Sequence, residues 1–133
     1  MADPAAGAVN RAVPPAFAVG AREVDGVCVL EVVGELDLST APTLCARVGR
    51  TFGTRSSRVL IDLSRLEFCD STGLRALFGA VQEARIHRVR LRIVPPSAKA
   101  AVRVFEIAGG AEFLPLTNSA AVGLAELAPR TGI

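Results

Sequence analysis

A short polar segment, Asp70-Ser71-Thr72-Gly73, carries the densest cluster of reactive side chains in this sequence. It follows an apolar run that starts at Val59 and is typical of a buried strand. It precedes a pattern of apolar residues with helical spacing, whose members are Leu74, Leu77, Phe78 and Val81. Side chains of Asp, Ser and Thr accept hydrogen bonds from the free backbone N–H groups of a first helical turn. The segment is therefore predicted to begin a helix.

The side chains of this segment suggest three chemical roles. A helix cap with no further role is common. A catalytic serine needs a general base within hydrogen-bond reach, and the single histidine, His87, lies beyond the far end of the predicted helix, roughly 20 Å or more away at 1.5 Å per residue. A phosphoacceptor serine is compatible with the position, because the helix dipole and the free N–H groups tolerate an added phosphate. The residues alone leave the cap and the phosphoacceptor open and argue against hydrolytic catalysis.

Length and composition predict one globular domain. The chain has 133 residues, of which 50% are hydrophobic, and a formal net charge of +2, which is too small to argue for nucleic-acid binding. No apolar run reaches the roughly 18 residues of a membrane span, and residues 1–16 lack the basic region of a signal peptide. We expect a cytoplasmic protein with a flexible tail at residues 1–16, a folded domain at residues 17–127 and a C-terminal tail at residues 128–133.

The cysteines do not predict a metal site. Cys28, Cys45 and Cys69 are widely spaced, and only one histidine is available to join them. Buried, reduced thiols are the expectation. Cys69 directly precedes the polar segment, so a redox role for this thiol is left open.

The order of the predicted elements indicates an α/β fold with a mixed sheet. Phe17–Val24 and Val27–Val33 flank the turn dipeptide Asp25-Gly26 and predict an N-terminal hairpin, with Gly34 ending its second strand. A helix capped by Ser39 or Thr40 should follow. The side chains expected on its buried face are Leu44, Cys45, Val48 and Phe52.

The second half of the chain predicts a strand, a helix and two short elements. The strand covers Val89–Val94 and is stopped by Pro95-Pro96. Ser97 is expected to cap the next helix, which Gly109-Gly110 ends. The side chains predicted to face inward are Ala101, Val102, Phe105 and Ile107. A short strand at Phe113–Leu116 and a helix at Asn118–Leu127 complete the prediction.

The predicted strands are apolar on one face and mixed on the other, so the helices should pack mainly on one face of the sheet. The mixed face carries Glu31, Asp62, Arg90 and Arg92. We expect Arg90 and Arg92 to be exposed and Leu91 and Ile93 to be buried. A solvated, charge-balanced surface is favoured there over a nucleic-acid site.

Two motifs in this order and spacing resemble those of the anti-sigma factor antagonist family, the bacterial STAS domain. The motifs are GELDLSTAP at Gly34–Pro42 and VLIDLSRLEFCDSTGL at Val59–Leu74, followed by a strand, a Pro-Pro pair and a helix. The resemblance extends from about Phe17 to Leu127. It implies a single STAS-like domain with a mixed sheet of four to five strands, an N-terminal hairpin and helices mainly on one face.

The resemblance also implies a protein–protein switch without enzymatic activity, cofactor or metal. In that family the serine after the motif aspartate, here Ser71, is phosphorylated by a partner anti-sigma factor that is itself a serine kinase. The unphosphorylated antagonist binds this kinase and so releases a sigma factor. Phosphorylation weakens this binding, and a phosphatase that acts on phospho-Ser71 restores it. The residues implied at the partner surface are Asp37, Ser39, Asp70, Ser71, Thr72 and Gly73. No direct contact with nucleic acid or a membrane is implied.

Two other functions stay open at the level of sequence. One is a STAS module of a transporter or of a stress-sensing complex. The other is a sensor that binds a nucleotide or a small apolar ligand.

Overall fold

The computed structural model describes residues 17–54 and 56–129, without the side chains of residues 110 and 111. The predicted tail at residues 1–16 and the last four residues of the predicted C-terminal tail lie outside the described residues. The strands are β1 (Phe17–Val24), β2 (Val27–Leu36), β3 (Arg58–Asp62), β4 (Leu66–Cys69) and β5 (Arg90–Val94). The helices are α1 (Ala41–Phe52), α2 (Ser71–Ile86), α3 (Lys99–Ile107), α4 (Gly110–Phe113) and α5 (Ala120–Glu126).

The five strands form one mixed sheet, as predicted. Its order is β1-β2-β3-β5, and β4 pairs with β2 beyond the end of β3. β1 and β2 are antiparallel, whereas β2–β3, β3–β5 and β2–β4 are parallel. The hairpin turn has positive φ at Asp25 (52°) and Gly26 (81°), the combination that a type I′ turn requires.

The second strand of the hairpin is longer than predicted. Gly34 does not end β2, which continues to Leu36. The strand register against β4 shifts between Gly34 and Glu35, and Gly34 has a φ of 104°, which glycine adopts without strain. The glycine therefore marks an irregularity inside the strand. The extension exists because β4, which the sequence did not reveal, supplies a partner for the last residues of β2.

Two layers of side chains cover the sheet unequally. The larger core lies between one face and α1, α2 and α3, and its strand residues include Leu30, Val32, Val59 and Ile61. A smaller cluster on the opposite face joins Val27, Val29, Leu60 and Val94 to Leu127 beside α5. This confirms that the helices pack mainly on one face.

Four local predictions were wrong, three for helices and one for a strand. Cys45 is exposed, because the buried stripe of α1 follows Leu44, Val48 and Phe52 and leaves its neighbour at the edge. Ala98 stands at the N-cap position of α3 instead of Ser97, and no side chain caps this helix. Ile107 is 76% exposed, since it lies about 200° around the helix from buried Phe105.

The fourth wrong prediction is the strand at Phe113–Leu116. A helical turn ends at Phe113, and only Leu116 forms a bridge, parallel to Ile93.

Arginines on the second face hold α5. Leu91 and Ile93 are buried as predicted, while Arg90 and Arg92 are only partly exposed. Arg90 donates to the carbonyl oxygens of Glu126 (2.7 Å) and Ala128 (3.2 Å). Because these carbonyls form the negative end of α5, the arginines of this face anchor the helix that covers it.

Candidate functional site

The two sequence motifs meet at the ends of two neighbouring strands. Leu36, the last residue of β2, is the register partner of Cys69, the last residue of β4. The backbone N–H of Asp70 continues the ladder and donates to the carbonyl oxygen of Leu36 at 3.2 Å. The loop that begins at Asp37 and the helix that begins at Ser71 therefore leave the sheet side by side.

The helix begins in the predicted segment, and of the three side chains able to cap it, Asp70 is the one that does. Its Oδ1 accepts a hydrogen bond from the backbone N–H of Gly73 at 2.9 Å, which satisfies one of the free donors of the first turn. The helix then runs 16 residues to Ile86. His87 follows it, where its Nε2 lies 3.5 Å from Glu83 Oε1. The imidazole is thus at the opposite end of α2 from Ser71, as expected from the sequence, and is not a general base for it.

Gly73 allows α2 to approach the end of β2 closely. A Cβ atom at this position would lie 2.6 Å from the carbonyl oxygen and 2.7 Å from the Cγ of Leu36, and 3.0 Å from the Sγ of Cys69. These distances are shorter than normal contacts, and the carbonyl is held in place by Asp70. The glycine of the motif is therefore explained by packing, and it fixes the position of the first turn.

Ser71 is the exposed first residue of α2. Among the described residues its hydroxyl forms no hydrogen bond with another group, so it is accessible from solvent. Thr72 is half-buried and lines the end of a groove between α1 and α2. The two hydroxyls of the motif therefore differ in access, and Ser71 is the more accessible acceptor.

Asp37 organises the neighbouring loop. Its Oδ1 accepts hydrogen bonds from the Ser39 hydroxyl (2.8 Å), the Ser39 N–H (3.0 Å) and the Thr40 N–H (3.2 Å). The Ser39 hydroxyl and then these backbone groups lower the pKa of Asp37 below its usual value. Asp37 therefore stays ionised and shapes the turn before α1, while the side chain of Ser39 remains at the surface.

Thr40 stands at the N-cap position of α1, but its side chain does not cap the helix. Its Oγ1 accepts from the Asp37 N–H at 2.9 Å and donates to the Glu35 carbonyl oxygen at 2.8 Å. The hydroxyl thus closes the loop back onto β2. Of the two residues predicted to cap α1, Thr40 occupies the N-cap position, but neither side chain forms a capping hydrogen bond.

Two exposed apolar side chains flank these polar residues. Leu38 is 73% exposed in the Asp37 loop, and Phe68 on β4 is 37% exposed. The position of Leu38 between Asp37 and Ser39 was the sequence signal for the first. The second could not be recognised without β4. Exposed apolar side chains bordered by polar residues are typical of protein-interaction surfaces.

The groove between α1 and α2 extends away from both motifs and has a volume of about 530 Å³. It starts at Ala41 and Thr72, which follow the loop and Ser71 directly. Small side chains and glycines keep it open, and its lining includes Leu44, Cys45, Val48, Gly49, Arg75, Ala76, Gly79 and Glu83. This groove could not be recognised from the sequence, in which the apolar pattern of α1 places Cys45 in the core.

Cys69 is poorly suited to redox chemistry. Its side chain is fully buried, and burial, followed by the charge of Asp70, raises the pKa of its thiol to about 12. Since the thiolate is the reactive form, this thiol is unreactive in the folded protein. Among the described residues no group of three or more His, Cys, Asp or Glu side chains could hold a metal ion. No helix in the described part of the chain is long and apolar enough to cross a membrane.

Comparisons with known proteins agree on one family. Residues 18–122 match the family model of the STAS domain. The anti-sigma-F factor antagonist RsfB of Mycobacterium tuberculosis is 38% identical over 64 residues, which are 48% of this chain and 52% of RsfB; the match thus spans about half the length of that relative. BtrV of Bordetella bronchiseptica is 31% identical over 98 residues, covering 73% of this chain and 83% of BtrV.

A solved structure extends the likeness to nearly the whole described chain. The crystal structure of an anti-sigma factor antagonist from Mycobacterium paratuberculosis superposes with a TM-score of 0.75 at 26% identity. The superposition covers 88% of this chain and 98% of that one. The arrangement of strands and helices described above is therefore shared with that structure.

Proposed function

The chain belongs to the STAS domain family, and from this premise we propose that it is an anti-sigma factor antagonist controlled by phosphorylation of Ser71. The unphosphorylated protein binds an anti-sigma factor that is a serine kinase, and a sigma factor is thereby released to direct transcription. Phosphate on Ser71 weakens the complex, and a phosphatase reverses the modification. The protein acts by binding in the cytoplasm and is not an enzyme, so ATP and Mg²⁺ belong to the kinase.

The observation that carries the proposal is the pairing of Leu36 with Cys69. It supports a single surface in which the Asp37 loop lies beside the accessible Ser71. We assign Asp37, Ser39, Asp70, Thr72 and Gly73 to this surface in different capacities. Asp37 and Asp70 fix the backbone through hydrogen bonds, Gly73 sets the close approach, and Ser39 and Thr72 present hydroxyls.

Electrostatics gives a physical reason for the switch. A phosphoserine carries about −1.5 to −2 charges at neutral pH. On Ser71 it would stand next to the side chain of the cap residue Asp70 and near the loop of Asp37. A partner that packs against Leu38 and Phe68 would then have to bury or approach this charge, which is costly. The fold itself tolerates the phosphate, because Ser71 is exposed at the positive end of α2.

Phosphate mapping tests the proposal. The protein is used to capture its anti-sigma factor from the native cell, and the purified pair is incubated with ATP and Mg²⁺ and analysed by mass spectrometry. We expect phosphate on Ser71 in the unmodified protein and in Thr72→Ala, and none in Ser71→Ala. Absence of phosphate on Ser71, together with undiminished binding of Ser71→Glu, would contradict the proposal. Capture of a membrane permease in place of an anti-sigma factor would point to the transporter module.

A further inference from the structure

Arg75 lies between Ser71 and the groove that separates α1 from α2. It is an exposed residue of α2, four positions after Ser71. Residues at this spacing are neighbours on a helix surface, with Cβ atoms about 5–6 Å apart. Arg75 also lines the groove together with Thr72. One side chain therefore borders both the proposed phosphorylation site and the apolar groove.

The guanidinium of Arg75 is not engaged elsewhere. In residues 17–54 and 56–129 it forms neither an ion pair nor a hydrogen bond, whereas several other arginines are committed to the fold. Arg47 donates to the Val19 carbonyl oxygen at 3.1 Å, and Arg58 donates to that of Leu127 at 2.9 Å. Arg92 pairs with Glu126 at 3.5 Å. Arg75 is thus free to bind a new anion without breaking an existing contact.

A phosphate on Ser71 would need a cation in this environment. The Asp70 carboxylate is adjacent in sequence and already accepts the Gly73 N–H, and the ionised Asp37 lies in the loop beside it. Both carboxylates repel a dianionic phosphate. The positive end of α2 offsets part of this repulsion, and arginine binds phosphate strongly through paired N–H donors.

We propose that Arg75 binds the phosphate of phospho-Ser71 and that phosphorylation thereby draws its guanidinium from the wall of the groove to the start of α2. This inference rests on the proposed function in taking Ser71 as the phosphate acceptor, and it adds a phosphate-binding residue to that site. Phosphorylation then changes the surface in two places, since the groove loses a cation while Ser71 gains an anion. A partner that presents an acidic side chain to Arg75 loses that ion pair.

The experiment uses protein with phosphoserine incorporated at position 71 during translation, so it requires no kinase. The second pKa of the phosphate is measured by ³¹P NMR as a function of pH. A nearby cation favours the dianion and lowers this pKa. We therefore expect Arg75→Gln to raise it by roughly 0.15–0.4 unit, the shift that helix ion pairs produce. Arg75→Lys should restore part of the difference.

The matched control is a substitution in the same helix that changes the net charge by the same amount. Arg85→Gln removes an exposed arginine in the last turn of α2, about 21 Å from Ser71 at 1.5 Å per residue, which is beyond the Debye length of about 8 Å at physiological ionic strength. Because of this screening, the shift in the phosphate pKa caused by Arg85→Gln should be less than about a third of the shift caused by Arg75→Gln. The Nε–H resonance of Arg75 should also move on phosphorylation.

Equal phosphate pKa values in the parent and Arg75→Gln would overturn the inference, as would equal shifts in Arg75→Gln and Arg85→Gln. Circular dichroism of each variant verifies that it is folded, which is expected because both side chains are exposed. These outcomes are independent of the proposed function. Failure of an anti-sigma kinase to modify Ser71 would contradict the function and leave the ³¹P titration unchanged.

Discussion

Replacing Gly73 by alanine should destabilise the protein, although alanine favours a helix. The added Cβ would lie 2.6 Å from the Leu36 carbonyl oxygen and 2.7 Å from its Cγ. The carbonyl cannot turn away without losing the hydrogen bond from the Asp70 N–H. Relief therefore requires α2 to move away from the end of β2, which is the contact that brings the two motifs together.

The magnitude follows from two opposing terms. Overpacking a well-packed site costs about 1–3 kcal/mol. Alanine in a helix interior is more favourable than glycine by about 0.5–1 kcal/mol. We expect a net loss of about 1–2 kcal/mol in the free energy of unfolding, or a Tm lower by roughly 3–8 °C for a domain of this size.

Gly79→Ala is the matched control. Gly79 lies in the same helix, and a Cβ there meets nothing within 4 Å. This variant should gain about 0.5–1 kcal/mol. Urea unfolding of both variants measures the difference, and ¹⁵N chemical shifts of residues 37–40 report the displacement of α2 in Gly73→Ala. Equal effects of the two substitutions, or unchanged loop resonances in Gly73→Ala, would refute the packing explanation.

Three further predictions concern the same site. Asp70→Ala should lower the free energy of unfolding by about 1 kcal/mol through loss of the N-cap, with most of it retained in Asp70→Asn; equal urea midpoints for both would contradict this. Ser39→Ala should raise the pKa of Asp37, measured by ¹³C NMR, because the Ser39 hydroxyl is the largest cause of its lowering. Since the folded pKa lies below the usual 3.8, the stability contributed by Asp37 is present above that value and is lost as pH falls through the folded pKa. With a disulfide reagent at pH 8, Cys45 should react rapidly and Cys69 only on unfolding; rapid modification of folded Cys69 would be inconsistent with its pKa of about 12.

Much of the site could be predicted from local sequence because helix caps and tight turns depend on adjacent residues. The Asp70 cap and the Asp25-Gly26 turn are of this kind, and both are confirmed. Ser71 follows directly as the first helical residue. Its role as phosphate acceptor stays a prediction, since it depends on a partner that the chain does not contain.

The unpredicted strand β4 and the extension of β2 have a common physical cause, which is long-range pairing. Leu66–Cys69 is too short to be recognised as a strand on its own, and it forms one only because β2 extends to meet it. The same pairing carries β2 past Gly34 and places Leu36 against Cys69. The sequence therefore indicated two motifs, but only the register of β2 and β4 brings them together.

The error at Cys45 arises at the edge of a helical face. Cys45 follows buried Leu44, and an apolar residue at such a position can face either the core or the surface. In the structure Cys45 faces the groove beside Arg75. Because the sequence places Cys45 in the core, it does not predict this groove. The position of an edge residue depends on where the neighbouring helix lies, and local sequence does not encode this.

The most direct test of the central claim is the affinity for the anti-sigma factor with and without phosphate on Ser71. Isothermal titration calorimetry would compare the unmodified protein, the protein with phosphoserine at position 71 and a control with phosphoserine at Ser57, an exposed residue just before β3. We predict that phosphate on Ser71 raises the Kd by roughly tenfold or more, equivalent to at least about 1.4 kcal/mol, and that the Ser57 control binds like the unmodified protein. Equal affinity of the unmodified and Ser71-phosphorylated proteins would contradict the account.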